Sequence, residues 1–83
     1  MITDLFTVYP NPSTGVFNVQ FPVALQEDMQ VSIFDVIGKV IKIQTFEKGN
    51  QTFTLDIAEF AKGMYLLRFN QDGATYSKSI ILE

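Results

Sequence analysis

Cysteine, histidine and tryptophan are all missing from this 83-residue chain. Without cysteine there are no disulfide staples, no thiolate metal ligands and no thiol nucleophile. Without histidine there is no imidazole base or ligand, and no side chain that ordinarily titrates near neutrality. Ser13, Thr14, Ser32, Ser77 and Ser79 therefore have no partner to activate them, and a serine hydrolase triad fails outright. The glycines at 15, 38, 49, 63 and 73 stand singly, so no glycine-rich loop cradles a phosphate. Lys39, Lys42, Lys48, Lys62, Arg68 and Lys78 are equally dispersed, which leaves no basic patch for a nucleic acid. No apolar run approaches the roughly 20 residues of a bilayer-spanning helix. The opening residues also lack the basic-then-apolar layout of a signal peptide. Met1 reads as an initiator on a cut-out fragment or as a natural start.

Carboxylates are present but poorly placed for chemistry. Asp35, Asp56 and Asp72 fall at strand ends or turns, where aspartate accepts hydrogen bonds from nearby backbone. Glu27, Asp28 and Glu47 read as solvated loop charge, too sparse for a dense calcium site. A glycosidase-like acid pair needs a cleft between two facing carboxyls, and a chain this short has little left to build one. The expectation is no enzyme, no cofactor and no metal.

What the chain does have is apolar mass: 47% of its residues, with eight Phe and three Tyr, enough for one compact domain. The pattern is strand after strand. Phe17, Val19 and Phe21 alternate with Asn18 and Gln20 until Pro22 stops the ladder, and Met29, Val31 and Ile33 alternate with Gln30 and Ser32. Phe34 reads as the start of a switch of face. Asp35–Lys39 is a hairpin loop with Gly38 at positive φ, and 39–46 returns with Ile41 and Ile43 inward, Lys42 and Gln44 outward. Phe53, Leu55 and Ile57 share a face of the next strand, as do Tyr65, Leu67 and Phe69 of the one after. Between them, 58–62 reads as a single helical turn closed by Gly63 as its C-cap. Asp72-Gly73 marks a hairpin turn before the last strand, 74–82. With a short strand at 6–9 this makes about seven strands at a spacing of roughly 8–12 residues, an antiparallel β-sandwich with a small barrel as the rival.

Two segments stand apart. In Tyr9-Pro10-Asn11-Pro12-Ser13-Thr14-Gly15, two prolines fix φ and bias their predecessors to extended geometry. Asn11 and Ser13 are placed to bond their own backbone, and Gly15 to take a left-handed conformation. In the final strand, Lys78 shares a face with Tyr76, Ile80 and Leu82, so an inward face requires its stem to lie along apolar surface. A domain that opens on a proline-fixed turn and closes on its own last strand reads as a terminal module joined to something else.

These segments, in order, resemble one family. Tyr9-Pro10-Asn11-Pro12-x-x-Gly15 looks like the opening motif of the type A C-terminal sorting domain of the type IX secretion system. Phe34-Asp35-x-x-Gly38-Lys39 and the run from Leu55-Asp56-Ile57 to Gly63-x-Tyr65 look like its second and third signatures, and Lys78-x-Ile80-Ile81 like its last. The match covers residues 6–83, leaving 1–5 as a linker or leftover of the fragment. The resemblance implies a seven-stranded immunoglobulin-like sandwich that directs an N-terminally fused cargo of Bacteroidota through the outer-membrane translocon. It implies contact with translocon and shuttle proteins, removal by a sortase-like cysteine protease, and passage through the periplasm to the outer-membrane surface or the exterior. Ser77 and Ser79 flank Lys78 where members of the family often carry a second basic residue. The expected translocon-recognition residues are Lys78, Ser79, Ile80, Ile81, Leu82 and Glu83, gripped by strand addition or through a terminal carboxylate. Tyr9, Pro10, Asn11, Pro12 and Gly15 are expected to hold the preceding cleavage region at a fixed angle. Asp35, Gly38, Lys39, Gly63 and Tyr65 form the structural signature. The competing reading is an immunoglobulin-like spacer or carbohydrate-binding module of a larger secreted enzyme.

Overall fold

The computed structural model describes residues 6–83, so the expected linker at 1–5 lies outside the described residues. Seven strands form: β1 (Thr7–Tyr9), β2 (Val16–Gln20), β3 (Met29–Phe34), β4 (Val40–Phe46), β5 (Thr52–Asp56), β6 (Gly63–Gln71) and β7 (Ala74–Leu82). They pair antiparallel into a three-stranded sheet, β1-β2-β5, and a four-stranded sheet, β4-β3-β6-β7. This is a two-sheet sandwich rather than a closed barrel, consistent with an immunoglobulin-like arrangement in which the fourth strand lies beside the third.

Period-two alternation decides what the sheets bury. Phe17, Val19, Val31, Ile33, Leu55, Leu67 and Ile80 are wholly shielded between them. Each such side chain contributes about 1.5–3 kcal/mol, the main term available to a domain with no covalent staple. Phe46 lies flat on Phe53 at 4.2 Å between centroids, joining the edge strands β4 and β5 across the gap. At the β6–β7 hairpin, Asp72 and Gly73 both take positive φ (53° and 81°), the type I′ turn expected of Asp-Gly.

Four expectations need correction. Residues 58–62 form no helix: the Phe60 amide donates to the Ile57 carbonyl, closing one β-turn. Gly63 is accordingly not a helix cap. It opens β6 at φ 149°, a region essentially closed to other residues. Phe34 does not switch face; it stays outward, continuing the alternation of β3. The irregularity is in β4, where a bulge opposite Ile33 and Phe34 leaves Ile41 without a register partner. Beyond it Lys42 and Gln44 pair with the inward Ile33 and Val31, and Ile43 pairs with Ser32 and is exposed. Ile41 itself packs against the core as expected. Beyond the bulge the pattern of β4 is inverted because its inward polar side chains have partners: Lys42 Nζ donates to the Asp56 carbonyl (2.8 Å) and Gln44 Nε2 to that of Thr54 (3.0 Å). Those carbonyls are on the edge of β5 that has no neighbouring strand, so two side chains stand in for one.

The strand directions sort the loops into two ends. Tyr9–Val16, Phe34–Val40, Asp56–Gly63 and the close of β7 lie at one end. Phe6, the loop 21–28, the turn 47–51 and the Asp72-Gly73 hairpin lie at the other.

Candidate functional site

All four sequence motifs meet at that first end, and three of them are bonded to one another. Asn11 reaches 70 residues along the chain: its Nδ2 donates to the Ser79 carbonyl and its Oδ1 accepts the Ile81 amide, both at 3.0 Å. Ser13 continues the same row through its backbone. Its amide donates to the Ile81 carbonyl (3.0 Å) and its carbonyl accepts the Glu83 amide (2.9 Å), a parallel bridge opposite Leu82. The opening turn thus covers the outer edge of β7 from Ser79 to Glu83. Strand addition at that stretch, as expected from sequence, finds the backbone groups already taken. Below Ser79 the edge belongs to residues 75–78.

The turn is shaped for this task. Ser13 is the one buried polar side chain among the described residues, and its Oγ donates to the Val16 carbonyl (2.6 Å) while accepting the Gly15 amide (3.2 Å). Its side chain does the local bonding that the sequence suggests. Asn11 does not: both of its bonds are to the last strand. Pro10 and Pro12 are exposed and remove two backbone donors from the turn. Both X–Pro bonds, Tyr9–Pro10 and Asn11–Pro12, are cis. Tyr9 faces outward beside Gln20 and takes no part in the clasp.

Gly15 is needed for closeness rather than for positive φ. A Cβ there would sit 2.5 Å from the Ala58 Cβ and 3.0 Å from its Cα. Its carbonyl accepts the Ile57 amide at 2.9 Å, so the third motif is docked against the first. Asp56 Oδ1 accepts the Ala58 amide (3.0 Å), as expected of a turn aspartate. Tyr65, buried near the start of β6, donates its hydroxyl to the Ala61 carbonyl and ties the turn to that strand. This is the tyrosine corner of sandwich domains.

Asp35, Gly38 and Lys39 form the remaining motif at the same end. Asp35 Oδ1 accepts the amides of Ile37 (3.1 Å) and Lys39 (2.9 Å), and Gly38 closes the loop at φ 88°. Within the last strand, Ile80 and Leu82 are buried core, Lys78 is half-buried on their face as expected, and Ser79, Ile81 and Glu83 point outward. The six residues expected to be recognised thus divide between packing and exposure. Sequence reading missed Ala58, whose small side chain completes the Gly15 contact, and the exposed Val36 and Ile37 of the hairpin tip. An apolar pair inside a tight turn is a signal that could have found the latter. At the far end a recess of about 380 Å³, lined by residues 21–29 and 70–72, contains none of the predicted residues.

One family model matches, that of the secretion system C-terminal sorting domain, over residues 7–83. No curated protein matches the chain.

Proposed function

Because the chain belongs to the family of type IX secretion C-terminal sorting domains, we propose that its clasped end is the face the outer-membrane translocon reads. A domain of this family is the signal that directs secretion toward the outer membrane or the exterior, and is not itself catalytic. The spacer or carbohydrate-binding reading is not favoured.

The observation that carries the proposal is the row of hydrogen bonds from Asn11 and Ser13 to Ser79, Ile81 and Glu83. They make two distant motifs a single surface. Lys78, Ser79, Ile81 and Glu83 are its accessible residues, Ile80 and Leu82 anchor it in the core, and the opening turn holds it in one register. Translocon and shuttle proteins are the readers. The cargo joins at the opposite end, where Thr7 pairs with Gln20. A sortase-like cysteine protease cutting before β1 would therefore work roughly 15–20 Å, the length of a five- or six-residue strand, from the recognised surface. The turn Tyr9–Gly15 holds the signal rather than the cleavage region.

The test is a periplasmically exported reporter with this chain at its C-terminus, expressed in a type IX-competent host. Removing residues 79–83 should leave the reporter in the periplasm. That deletion also strips Ile80 and Leu82 from the core, so a second variant, Ser79→Arg with Glu83→Arg, alters exposed side chains only and should cut export without lowering Tm. Wild-type secretion of both variants would overturn the proposal.

A further inference from the structure

Exposed apolar side chains are unevenly spread over the sandwich. Val40, Met64 and Ile81 stand exposed on the outward face of the four-stranded sheet, with half-buried Phe34 and Leu66 between them. The register makes the patch continuous, since Phe34 pairs with Val40 on one side and Leu66 on the other, and Met64 pairs with Ile81. The hairpin tip extends it with Val36 and Ile37, 76% and 83% exposed. A contiguous apolar face of this kind marks an interaction surface more often than scattered single residues do.

Charge is just as uneven. The chain has nine acidic and six basic residues, yet the outward positions of β3, β6 and β7 include no carboxylate and one cation, Arg68. Its guanidinium lies 4.6 Å from the centre of the Phe34 ring. A cation–π contact of that kind leaves the guanidinium N–H donors available to a carboxylate. Asp35, next to the patch, is committed to the amides of its own turn.

We propose that this face docks a protein surface that is apolar and presents a carboxylate to Arg68. The charge distribution chooses among the occupants. A second copy placed face to face would bring its own Arg68, on an inner strand, against a sheet face whose outward strand positions hold no carboxylate. The outward Glu83 lies beyond the end of β7, six residues from Ser77, the register partner of Arg68. Unpaired like charge there costs several kcal/mol. A partner carrying the missing carboxylate meets no such penalty. The proposal rests on the sorting reading for the source of that partner, a component of the secretion machinery, and it names a sheet face centred on β3 and β6 that meets the edge of β7 only at Ile81.

A photo-crosslinking side chain at Met64 in the fused reporter should yield an adduct with one machinery protein, and the same group at Thr54, on the outward face of the other sheet, should not. Arg68→Glu should reduce both adduct and export by about tenfold or more at unchanged Tm. Ile37→Asp, at the exposed tip where folding is not at stake, should reduce them too. Reversing a carboxylate to lysine on the crosslinked protein should restore Arg68→Glu. An adduct with a second copy of the chain or with lipid, or full export of both variants, overturns the proposal and leaves the sorting reading standing. A wild-type fusion that stays in the periplasm overturns that reading and this one with it.

Discussion

The two ends of the sandwich are held by different physics. At the far end, Phe69 meets Phe6 at 5.0 Å, Phe21 at 5.7 Å and Tyr76 at 5.5 Å, and Phe21 also packs edge-on to Phe46 and Phe53. The clasped end lacks such a ring cluster and adds to its buried Ile57, Ile80 and Leu82 a row of hydrogen bonds and one glycine contact. Ring packing contributes large, weakly directional free energy. Hydrogen bonds contribute little net free energy each but fix which residue faces which. The domain thus concentrates its aromatic packing at one end and its long-range hydrogen bonds at the other.

The largest expected effect breaks the aromatic end. Phe69→Ala should cost about 3–5 kcal/mol. Against the low end of the usual stability range of roughly 5–15 kcal/mol, expected for so small a domain, this leaves a large unfolded fraction. Urea unfolding of the isolated chain measures it. A loss under about 1 kcal/mol, far below the usual core truncation, would show that the rings are not what holds the fold.

Gly15 tests the clasped end by sterics. Gly15→Ala places a methyl where the Ala58 Cβ lies 2.5 Å away, and overpacking of that degree should cost about 1–3 kcal/mol. Ala58→Gly removes the closer of the two contacts and leaves the 3.0 Å approach to the residue 58 Cα, so the double variant should recover part of the loss. A double-mutant cycle reports the coupling, and strictly additive losses would contradict the contact.

Much of this architecture is legible in the residues, and the reason is local. The strands of Val16–Gln20, Met29–Phe34 and Gly63–Gln71 declare themselves because one face meets the core and the other meets water, which alternation records directly. Asp72-Gly73 does so because its backbone conformation is a property of the dipeptide. The β4 face was misread because Lys42 and Gln44 point inward to bond carbonyls of a strand in the other sheet, and no local pattern records a partner ten or more residues away. Residues 58–62 have the composition of a helical turn, yet a tyrosine hydroxyl and an aspartate side chain arrest it as a β-turn. The site itself divides the same way. Its motifs were visible as motifs, but the 70-residue reach of Asn11 turns two of them into one structure, and only the fold supplies that distance.

The smallest expected effect is the most informative about the clasp. Asn11 is exposed, so water can replace either of its bonds, and Asn11→Ala should cost about 1 kcal/mol. Hydrogen exchange resolves what a melting curve blurs. The Ile81 amide loses its acceptor and should exchange faster, whereas the Glu83 amide, bonded to the Ser13 carbonyl at 2.9 Å, should keep its protection. Asn11→Asp separates the two bonds further. It retains an acceptor for Ile81 but sets a carboxylate oxygen where Nδ2 donated to the Ser79 carbonyl, so it should protect the amide while losing at least as much stability. If Ile81 exchanges at the parental rate in Asn11→Ala, the register of the last strand is set by the Ser13 backbone alone. The asparagine between the two prolines would then be free for a partner.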